Sequence, residues 1–525
     1  MDLSVDRCIG GPSICQRHRL RGHKASPLNV VFIRRARRRL PSLPTHFDIY
    51  TNRLIKLADE LRYSDYFGPR GIRDISNNAS LWAAKMRVKS KKVAEQLRRT
   101  PHRTNSGKDL GNYTGFAHSR STAHFRAALT GYSTATYDPI SAFLSTRLFK
   151  WIPQVARYWF HKKYSFRDYT THEKGSGIYP IDDRAKISIA ADWGTGTDEA
   201  RRVAAGMEKS EPDFTIHLGD VYYVGDSNEV RENFLGEKTS PYAPVKWPMG
   251  TKGSFALNGN HEMYADGTGY WRMVLPRMGL RERGSEWGAG QWASFFCLEN
   301  KHWRIIGLDT GYNSTRFEWD KLPLLQRSKW LRKATSFKPR CNIPEPLLSW
   351  LKSSVNPDGD KRGLILMSHH GPHSAFDSWY QIPAKQLAKL IHRPVIWFWG
   401  HEHRLAIYEK FSVEQGIEAY GRCVGHGGMP VERGATPDIP DCRWLAWDNR
   451  RYHGDEEIDV GYNGHTNFSF NGPALHIAYY DLNQSLILTE DWRIDVESGV
   501  LTGPSLKKVL NDPSLHCREE ENLRH

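Results

Sequence analysis

The stretch VIWFWGHEHRLAIY, residues 395–408, contains the pattern that best indicates the fold: an apolar run that ends in a glycine and two histidines. Five apolar residues, 395–399, lead directly into a glycine, and two histidines, His401 and His403, then flank Glu402. A short, continuously apolar run is typical of a strand that is buried on both faces of its sheet. Such a strand either leaves the core into a polar loop or ends at a metal site. Because short histidine patterns arise by chance, the other ligands must come from elsewhere in the chain.

Four earlier apolar runs also end at polar or glycine-rich clusters. The runs and their terminal residues are AKISIAADWG with Asp192, DFTIHLGD with Asp220, GSFALNGNHE with Asn260 and His261, and RGLILMSHH with His369 and His370. Helical patterns lie between several of them, and Thr197 is placed to cap the helix after the first run. Strands that alternate with helices predict βαβ crossovers and at least partly parallel pairing.

Antiparallel patterns accompany these runs. SFFCLENKHWRIIGLDT predicts a hairpin that turns near Glu299, whereas IEAYGRCVGHGG and then PALHIAYYDLNQSLILTEDWRID predict antiparallel strands. The predicted fold class is therefore α/β (α+β), with a two-sheet mixed β-sandwich flanked by helices and preceded by a helical N-terminal region.

The length of 525 residues exceeds what one ordinary domain requires. Residues 1–44, which include RRARRR at 34–39, are predicted to be a basic disordered tail. We expect a helical N-terminal region at 45–180, the sandwich domain at 185–495 and a polar, loosely held C-terminal tail at 496–525. Hydrophobic residues make up 39% of the chain and charged residues 25%, which fits a soluble globular protein.

The positive charge is concentrated in the N-terminal third. The formal net charge is +16; residues 1–185 contain 34 Lys and Arg against 14 Asp and Glu, and the remainder contains 40 against 44. An anionic partner, either nucleic acid or a lipid surface, is therefore expected only for the N-terminal region. The segment SAFLSTRLFKWIPQVARYWFHKK, residues 141–163, fits a membrane surface or packing on its own protein.

Targeting signals are not evident in the sequence. No apolar run approaches the ~20 residues of a membrane span, and the N-terminus has no apolar stretch long enough for a secretory signal. The seven cysteines are scattered, odd in number and without CxxC spacing, which disfavours a disulfide framework or a zinc ribbon. A reducing compartment, the cytoplasm, is the expected location.

The residues at the five strand ends are candidates for one metal site. Loops at the carboxyl ends of parallel strands gather into one crevice. Asp192 alone reads as a helix cap, Asn260 as a turn residue and His369 as a core histidine, but five coinciding strand ends are hard to explain in this way. Carboxylate, amide and imidazole donors without thiolate suit Mn, Fe or Zn. The donors are too many for one tetrahedral ion and enough for two ions about 4 Å apart.

In order and spacing, these motifs resemble those of the calcineurin-like metallophosphoesterases. The motifs are Asp192, Gly219-Asp220-x-x-Tyr223, Gly259-Asn260-His261-Glu262, His369 and Gly400-His401-x-His403. The resemblance covers about residues 185–490. It implies the following ligands: Asp192 and His403 for a first metal ion, Asp220 as a bridge, and Asn260, His369 and His401 for a second.

The first motif departs from the family pattern. Many members begin with Asp-x-His, whereas this chain has Asp192-Trp193-Gly194. Tyr223 stands where purple acid phosphatases carry a tyrosinate ligand, and a phenol with a pKa near ~10 favours a strongly acidic ion such as Fe(III). The expected cofactors are therefore iron with zinc, manganese or a second iron if Tyr223 is a ligand, and otherwise two manganese or zinc ions. The alternative is that Tyr223 only packs beside Tyr222.

The function that the resemblance implies is hydrolysis of a phosphoric ester. A metal-bridging hydroxide would attack phosphorus and His261 would protonate the leaving oxygen. His370 competes with His369 as a ligand and is otherwise a candidate for substrate binding, together with His373 and His426, which fit ordinary loop residues equally well. The alternatives are a phosphodiesterase whose basic N-terminal region grips nucleic acid or a membrane-surface substrate, and a non-catalytic scaffold.

Overall fold

The computed structural model of the chain describes residues 163–169, 175–238, 243–314, 341–376, 379–434, 443–452 and 459–518. The predicted basic tail at 1–44 and most of the predicted helical region at 45–180 lie outside the described residues. Where that region is described, it contains a short strand at its end rather than a helix. In the described part of the chain, no helix combines the length and the apolar composition that a membrane crossing requires.

Two mixed β-sheets form the framework of the described residues. In chain order the strands are β1 (Ile178–Pro180), β2 (Lys186–Ala190), β3 (Phe214–His217), β4 (Gly253–Ala256), β5 (Gly279–Leu280), β6 (Phe296–Glu299), β7 (Trp303–Leu308), β8 (Gly363–Ser368), β9 (Val395–Trp399), β10 (Leu405–Ser412), β11 (Glu418–Val424), β12 (Trp444–Asp448), β13 (Gly464–Asn471), β14 (Ala474–Asp481), β15 (Leu486–Ile494), β16 (Leu501–Lys508) and β17 (Leu515–Cys517). Among these, one sheet has the order β1-β6-β7-β8-β9-β11-β10-β12-β17 and the other β16-β15-β14-β13-β2-β3-β4-β5.

Short helices flank the sheets. The described helices are α1 (Asp198–Lys209), α2 (Ser227–Asn233), α3 (Asn260–Met263), α4 (Glu345–Trp350) and α5 (Gln381–Leu387), with π-helical turns at Tyr270–Val274 and Leu351–Val355 and a 3₁₀ turn at Leu275–Arg277. Thr197 caps α1 as predicted, because its hydroxyl accepts a hydrogen bond from the Ala200 N–H at 3.3 Å. The mixed sandwich with helices outside confirms the predicted sandwich fold, and the helical N-terminal region predicted before it lies mostly outside the described residues.

Apolar residues from both sheets interlock between them. Ile187, Ile216 and Phe255 of one sheet share a buried cluster with Ile365 and Phe398 of the other. The outer face of the first sheet is covered by α4 and α5, and that of the second by α1. Strands β7, β8 and β9 are therefore buried on both faces, which is why they read as continuous apolar runs.

Parallel pairing follows the predicted pattern. β2, β3 and β4 pair in parallel in one sheet, and β7, β8 and β9 in the other. β6 and β7 form the predicted hairpin, in which the Asn300 side chain accepts hydrogen bonds from the N–H groups of His302 and Trp303. β11 differs in part from the antiparallel prediction, since it pairs with β10 antiparallel and with β9 in parallel.

The C-terminal stretch, predicted to be a loosely held tail at 496–525, instead adds a strand to each sheet. β16 extends β15 and β17 pairs with β12. Leu501, Leu506 and Cys517 are partly buried against the inter-sheet cluster, and this apolar contact holds the segment against the sandwich. Gly503 and Pro504 interrupt the apolar alternation of β16, so the sequence reads as polar although the strand is paired.

A fully buried ion pair connects the two sheets. Arg422 on β11 and Glu490 on β15 lie 2.6 Å apart, and neither side chain is exposed to solvent. Trp492 and Tyr479 also donate hydrogen bonds to the Glu490 carboxylate, while the Arg422 guanidinium donates to the Tyr408 carbonyl. Because every partner is itself buried, removal of one charge leaves the other without compensation.

We expect Glu490→Gln to lower the free energy of unfolding by about 3–5 kcal/mol, since it leaves the Arg422 charge buried and uncompensated. Urea unfolding followed by circular dichroism measures the loss. Glu418→Gln is the matched control, because Glu418 pairs with Lys410 at 3.4 Å where both side chains are 46% exposed, and its effect should stay within about 0.5 kcal/mol. Equal effects of the two substitutions would contradict the assignment.

Candidate metal centre

Polar residues from five strand ends converge at one rim of the sandwich. They are Asp192, Asp220 and Asn260, after β2, β3 and β4, and His369, His401 and His403, after β8 and β9. Each sheet therefore supplies three of the predicted ligands. The rim is formed where parallel strands of both sheets end, as expected for a crevice at carboxyl ends.

Sharp backbone turns bring the side chains back over the strand ends. Asp192, Asp220 and His401 adopt left-handed conformations, with φ of 56°, 75° and 68°. Residues with a Cβ atom rarely adopt this region, and such strain concentrates at functional sites. Three such residues at one rim support the prediction of a functional site there.

The glycines of the third and fifth motifs are required by close approach. A Cβ on Gly259 would lie 2.0 Å from Asp220 Oδ1 and 2.7 Å from His369 Nε2, and one on Gly400 would lie 2.5 Å from Asp192 Oδ2. No other residue fits in these two positions without moving a predicted ligand. This answers why the apolar run 395–399 ends in glycine: the Asp192 carboxylate passes directly over it.

The first group of donor atoms surrounds Asp192. The Tyr222 hydroxyl lies 2.7 Å from Asp192 Oδ1, 3.1 Å from Asp220 Oδ2 and 3.3 Å from His403 Nε2. His403 Nε2 lies 3.6 Å from Asp192 Oδ1. These atoms would hold the first of the two predicted ions.

The second group surrounds Asn260. The oxygen of its side-chain amide lies 3.2 Å from His369 Nε2 and 3.0 Å from His401 Nδ1. His369 Nε2 also lies 3.2 Å from Asp220 Oδ2. Because Asp220 Oδ2 contacts members of both groups, its position agrees with the bridging role that the sequence predicts.

Electrostatics favour cations at this rim. Burial raises the pKa of Asp192, but His369 and His403 outweigh it and the pKa is lowered. Burial acts on Asp220 in the same way, and His369 and His261 hold its pKa well below the ordinary range. Burial lowers the pKa of His369, yet Asp220 and Asp192 together raise it to about 9. Two buried carboxylates that remain ionised, beside imidazole and amide donors, fit a pair of metal ions.

His261 lies beside this centre, where the sequence predicts a proton donor. Its side chain is 1% exposed, and its backbone N–H donates to Asp220 Oδ1 at 3.0 Å. The ring places Nδ1 2.5 Å from the Tyr223 carbonyl oxygen and Nε2 3.8 Å from Asp220 Oδ2. With Nδ1 hydrogen-bonded to a carbonyl, Nε2 is the nitrogen that faces the site.

The tyrosine among the first group of donors is Tyr222 rather than the predicted Tyr223. Tyr223 contributes its carbonyl oxygen to His261, whereas Tyr222 directs its hydroxyl to Asp192 and Asp220. The motif spacing alone does not reveal this, because both residues are tyrosines and differ by one position. The assignment of Tyr223 as a tyrosinate ligand stays a prediction, and Tyr222 is a second candidate for that role.

The three predicted substrate-binding histidines have different surroundings. The His370 ring centre lies 4.5 Å from that of His401, and its donor atom lies within 4.8 Å of those of His369 and His401. His373 instead stacks on Phe411 at 4.2 Å, which matches the alternative of an ordinary packed loop residue. His426 is 2% exposed and lies in a loop whose backbone N–H groups at Gly427 and Met429 donate to the carbonyls of Ala191 and Asp192.

The two glutamates of the motifs support the ligand loops. Glu262 Oε2 accepts hydrogen bonds from the backbone N–H groups of Asp220 and Gly259, at 3.2 Å and 2.7 Å. The Glu402 carboxylate accepts a hydrogen bond from the Ser374 hydroxyl at 2.8 Å and forms an ion pair with Arg404 at 3.1 Å. Both carboxylates therefore orient the loops around the ligands.

Sequence reasoning missed two further tyrosines at the rim. Tyr264 Oη lies 3.1 Å from Asn260 Nδ2, and Tyr380 Oη lies 3.0 Å from His401 Nε2. Tyr264 follows Asn260 by four residues, and this helical spacing is a signal that was available in the sequence. Tyr380 reaches His401 from the loop before α5, and no spacing in the sequence indicates that contact.

Comparison with known protein families gives a match over part of the chain. A model of calcineurin-like phosphoesterases matches residues 185–405. No match was found among curated proteins.

Solved structures show only weak likeness. GAP50, "the anchor in the inner membrane complex of Plasmodium", has 13% identity and a TM-score of 0.36, covering 59% of this chain and 89% of that one. A structure of PhoD has 11% identity and a TM-score of 0.37, covering 62% and 72%. A predicted phosphoesterase of Streptococcus pneumoniae TIGR4 has 10% identity and a TM-score of 0.23, covering 60% and 99%. Likeness at this level carries no argument about function.

A visible absorption spectrum distinguishes the two tyrosines. An iron tyrosinate gives a charge-transfer band, and the placement of the Tyr222 hydroxyl predicts that Tyr222→Phe abolishes this band while Tyr223→Phe retains it. Tyr270→Phe is the control, because the Tyr270 hydroxyl is bonded to the Ala256 carbonyl. Loss of the band in Tyr223→Phe alone would restore the assignment from the motif, and an iron-containing protein without any band would exclude both tyrosines.

Proposed function

Because residues 185–405 match a model of the calcineurin-like phosphoesterases, we propose that this protein is a metal-dependent hydrolase of phosphoric esters in which His261 protonates the leaving group. The observation that carries the proposal is the buried pair of carboxylates, Asp192 and Asp220, facing imidazole and amide donors from both sheets. A buried pair of anions without cations would be strongly unfavourable.

The chain supplies a separate set of ligands for each of two ions. Asp192 and His403, with Tyr222 or Tyr223, would hold the first ion; Asn260, His369 and His401 the second; and Asp220 both. When bound, the ions would supply Lewis acidity toward a phosphoryl group and toward water. The donor set fits iron, zinc and manganese.

His261 is held in the orientation that proton transfer requires. Its Nδ1–H donates to the Tyr223 carbonyl, so Nε2 is the atom that binds and releases the transferred proton. Burial lowers the pKa of His261, although the Asp220 carboxylate opposes this. A lowered pKa reduces the protonated fraction of the ring near neutral pH, and the Asp220 carboxylate favours the protonated form that a general acid requires.

Burial of the site strengthens these effects. His261 and Asn260 are 1% and 5% exposed, and Asp192, Asp220 and His369 are not exposed at all. Charges and fixed dipoles act more strongly where water is excluded. Glu262 adds rigidity, because it ties the backbone after β3 to that after β4.

His261→Ala is expected to lower kcat by about 10²–10⁴-fold, the usual contribution of a positioned acid. The loss should be larger for an alkyl phosphate than for p-nitrophenyl phosphate, because nitrophenolate leaves without protonation. Steady-state kinetics with both substrates, together with metal analysis, test this.

The control is His476→Asn, since His476 is 46% exposed and pairs with Asp491 on the surface. Near-normal turnover of His261→Ala with its metal retained would refute the role of His261. An equal loss for both leaving groups would show that His261 contributes something other than a proton. Absence of phosphoesterase activity in the metal-loaded wild type would refute the proposed function itself.

A further inference from the structure

We propose that Tyr264 and Tyr380 are positioning residues for the second ion, because each hydroxyl holds one ligand in its metal-binding orientation. The inference rests on the proposed function, which requires two ions. It concerns the affinity of one of the two positions, and it can fail while the hydrolase assignment stands.

Asn260 needs an external partner because its amide has two dissimilar ends. Only the oxygen binds a metal ion, and the amide nitrogen is a donor with no lone pair to offer. Asn260 Oδ1 faces His369 and His401, whereas Nδ2 lies 3.1 Å from Tyr264 Oη. A hydrogen bond from Nδ2 to the phenol oxygen therefore fixes which end of the amide faces the ion.

The His401 ring also has two unlike positions, because in the neutral imidazole one nitrogen carries a proton and the other can bind a metal ion. To bind an ion through Nδ1, which faces Asn260 Oδ1, the ring must carry its proton on Nε2. That nitrogen lies 3.0 Å from Tyr380 Oη. A hydrogen bond from Nε2–H to the Tyr380 oxygen selects the required tautomer and holds the plane of the ring.

The two tyrosines are themselves held in place. Tyr380 is 5% exposed, its backbone N–H donates to the Gly371 carbonyl, and its ring packs edge-on against those of His370 and His401. The Tyr264 ring lies edge-on to His261, with centroids 4.9 Å apart. The packing of each ring therefore fixes the position of its hydroxyl.

The third ligand of this position has a different support. His369 Nδ1 lies 3.0 Å from the Leu218 carbonyl, so a backbone group orients this ring. Substitution of side chains can therefore test two of the three ligand orientations. The first position instead has Tyr222, Asp192 and His403 in mutual contact.

The test is calorimetric titration of the metal-free full-length chain with Mn²⁺, repeated with Zn²⁺, for the wild type, Tyr264→Phe and Tyr380→Phe. Loss of a hydrogen-bonded support of a metal ligand typically weakens metal affinity 10–100-fold. We expect this loss for the second equivalent of metal in each variant, with the first equivalent unchanged. Tyr270→Phe is the matched control, since it removes another buried tyrosine hydroxyl, one whose hydrogen bond goes to the Ala256 carbonyl and not to a predicted metal ligand.

Thermal melting and near-ultraviolet circular dichroism confirm the fold before titration, and the two variants are independent, so one that misfolds leaves the other as a test. Wild-type affinity for both equivalents in the variants would overturn the inference, as would equal weakening of both equivalents. A wild type that does not bind two ions would overturn both this inference and the two-ion site of the proposed function.

Discussion

The structure depends on the burial of two carboxylates side by side. Asp192 and Asp220 have no exposed surface, and the pKa of each is lowered by His369, which reaches them from the opposite sheet, with His403 acting on Asp192 and His261 on Asp220. Unpaired charge is very costly in a protein interior. The two sheets must therefore meet at this rim in one register, or the carboxylates would lose their partners. Packing of the sandwich and formation of the site are thus one requirement.

A second buried charge pair fixes the relation of the sheets elsewhere. Arg422 and Glu490 join β11 to β15, and their hydrogen-bond partners are buried as well. Apolar packing alone tolerates small shifts between sheets, since it is not directional. A fully satisfied ion pair is directional, so it fixes the alignment of β11 with β15.

The strand ends could be predicted because they combine two strong signals. A continuous apolar run indicates a doubly buried strand, and a polar residue directly after it indicates the crevice. The contacts of Tyr380 and Tyr222 could not be predicted, because they depend on loop paths that have no sequence period. The strand at 501–508 was missed for a related reason: Gly503 and Pro504 conceal its alternation, and its pairing is supplied by a neighbour already in place.

The loops and the metal site cannot form separately, because each carboxylate serves both. Asp192 uses Oδ2 to accept the His401 backbone N–H at 2.8 Å and presents Oδ1 to the first group of donors. Asp220 uses Oδ1 to accept the His261 backbone N–H and presents Oδ2 to His369. Asp192 Oδ2 thus stabilises the left-handed turn at His401, and Asp220 Oδ1 stabilises the start of α3, while the other oxygen of each carboxylate remains for an ion. The left-handed conformation at His401 is therefore maintained by a side chain that would also bind metal.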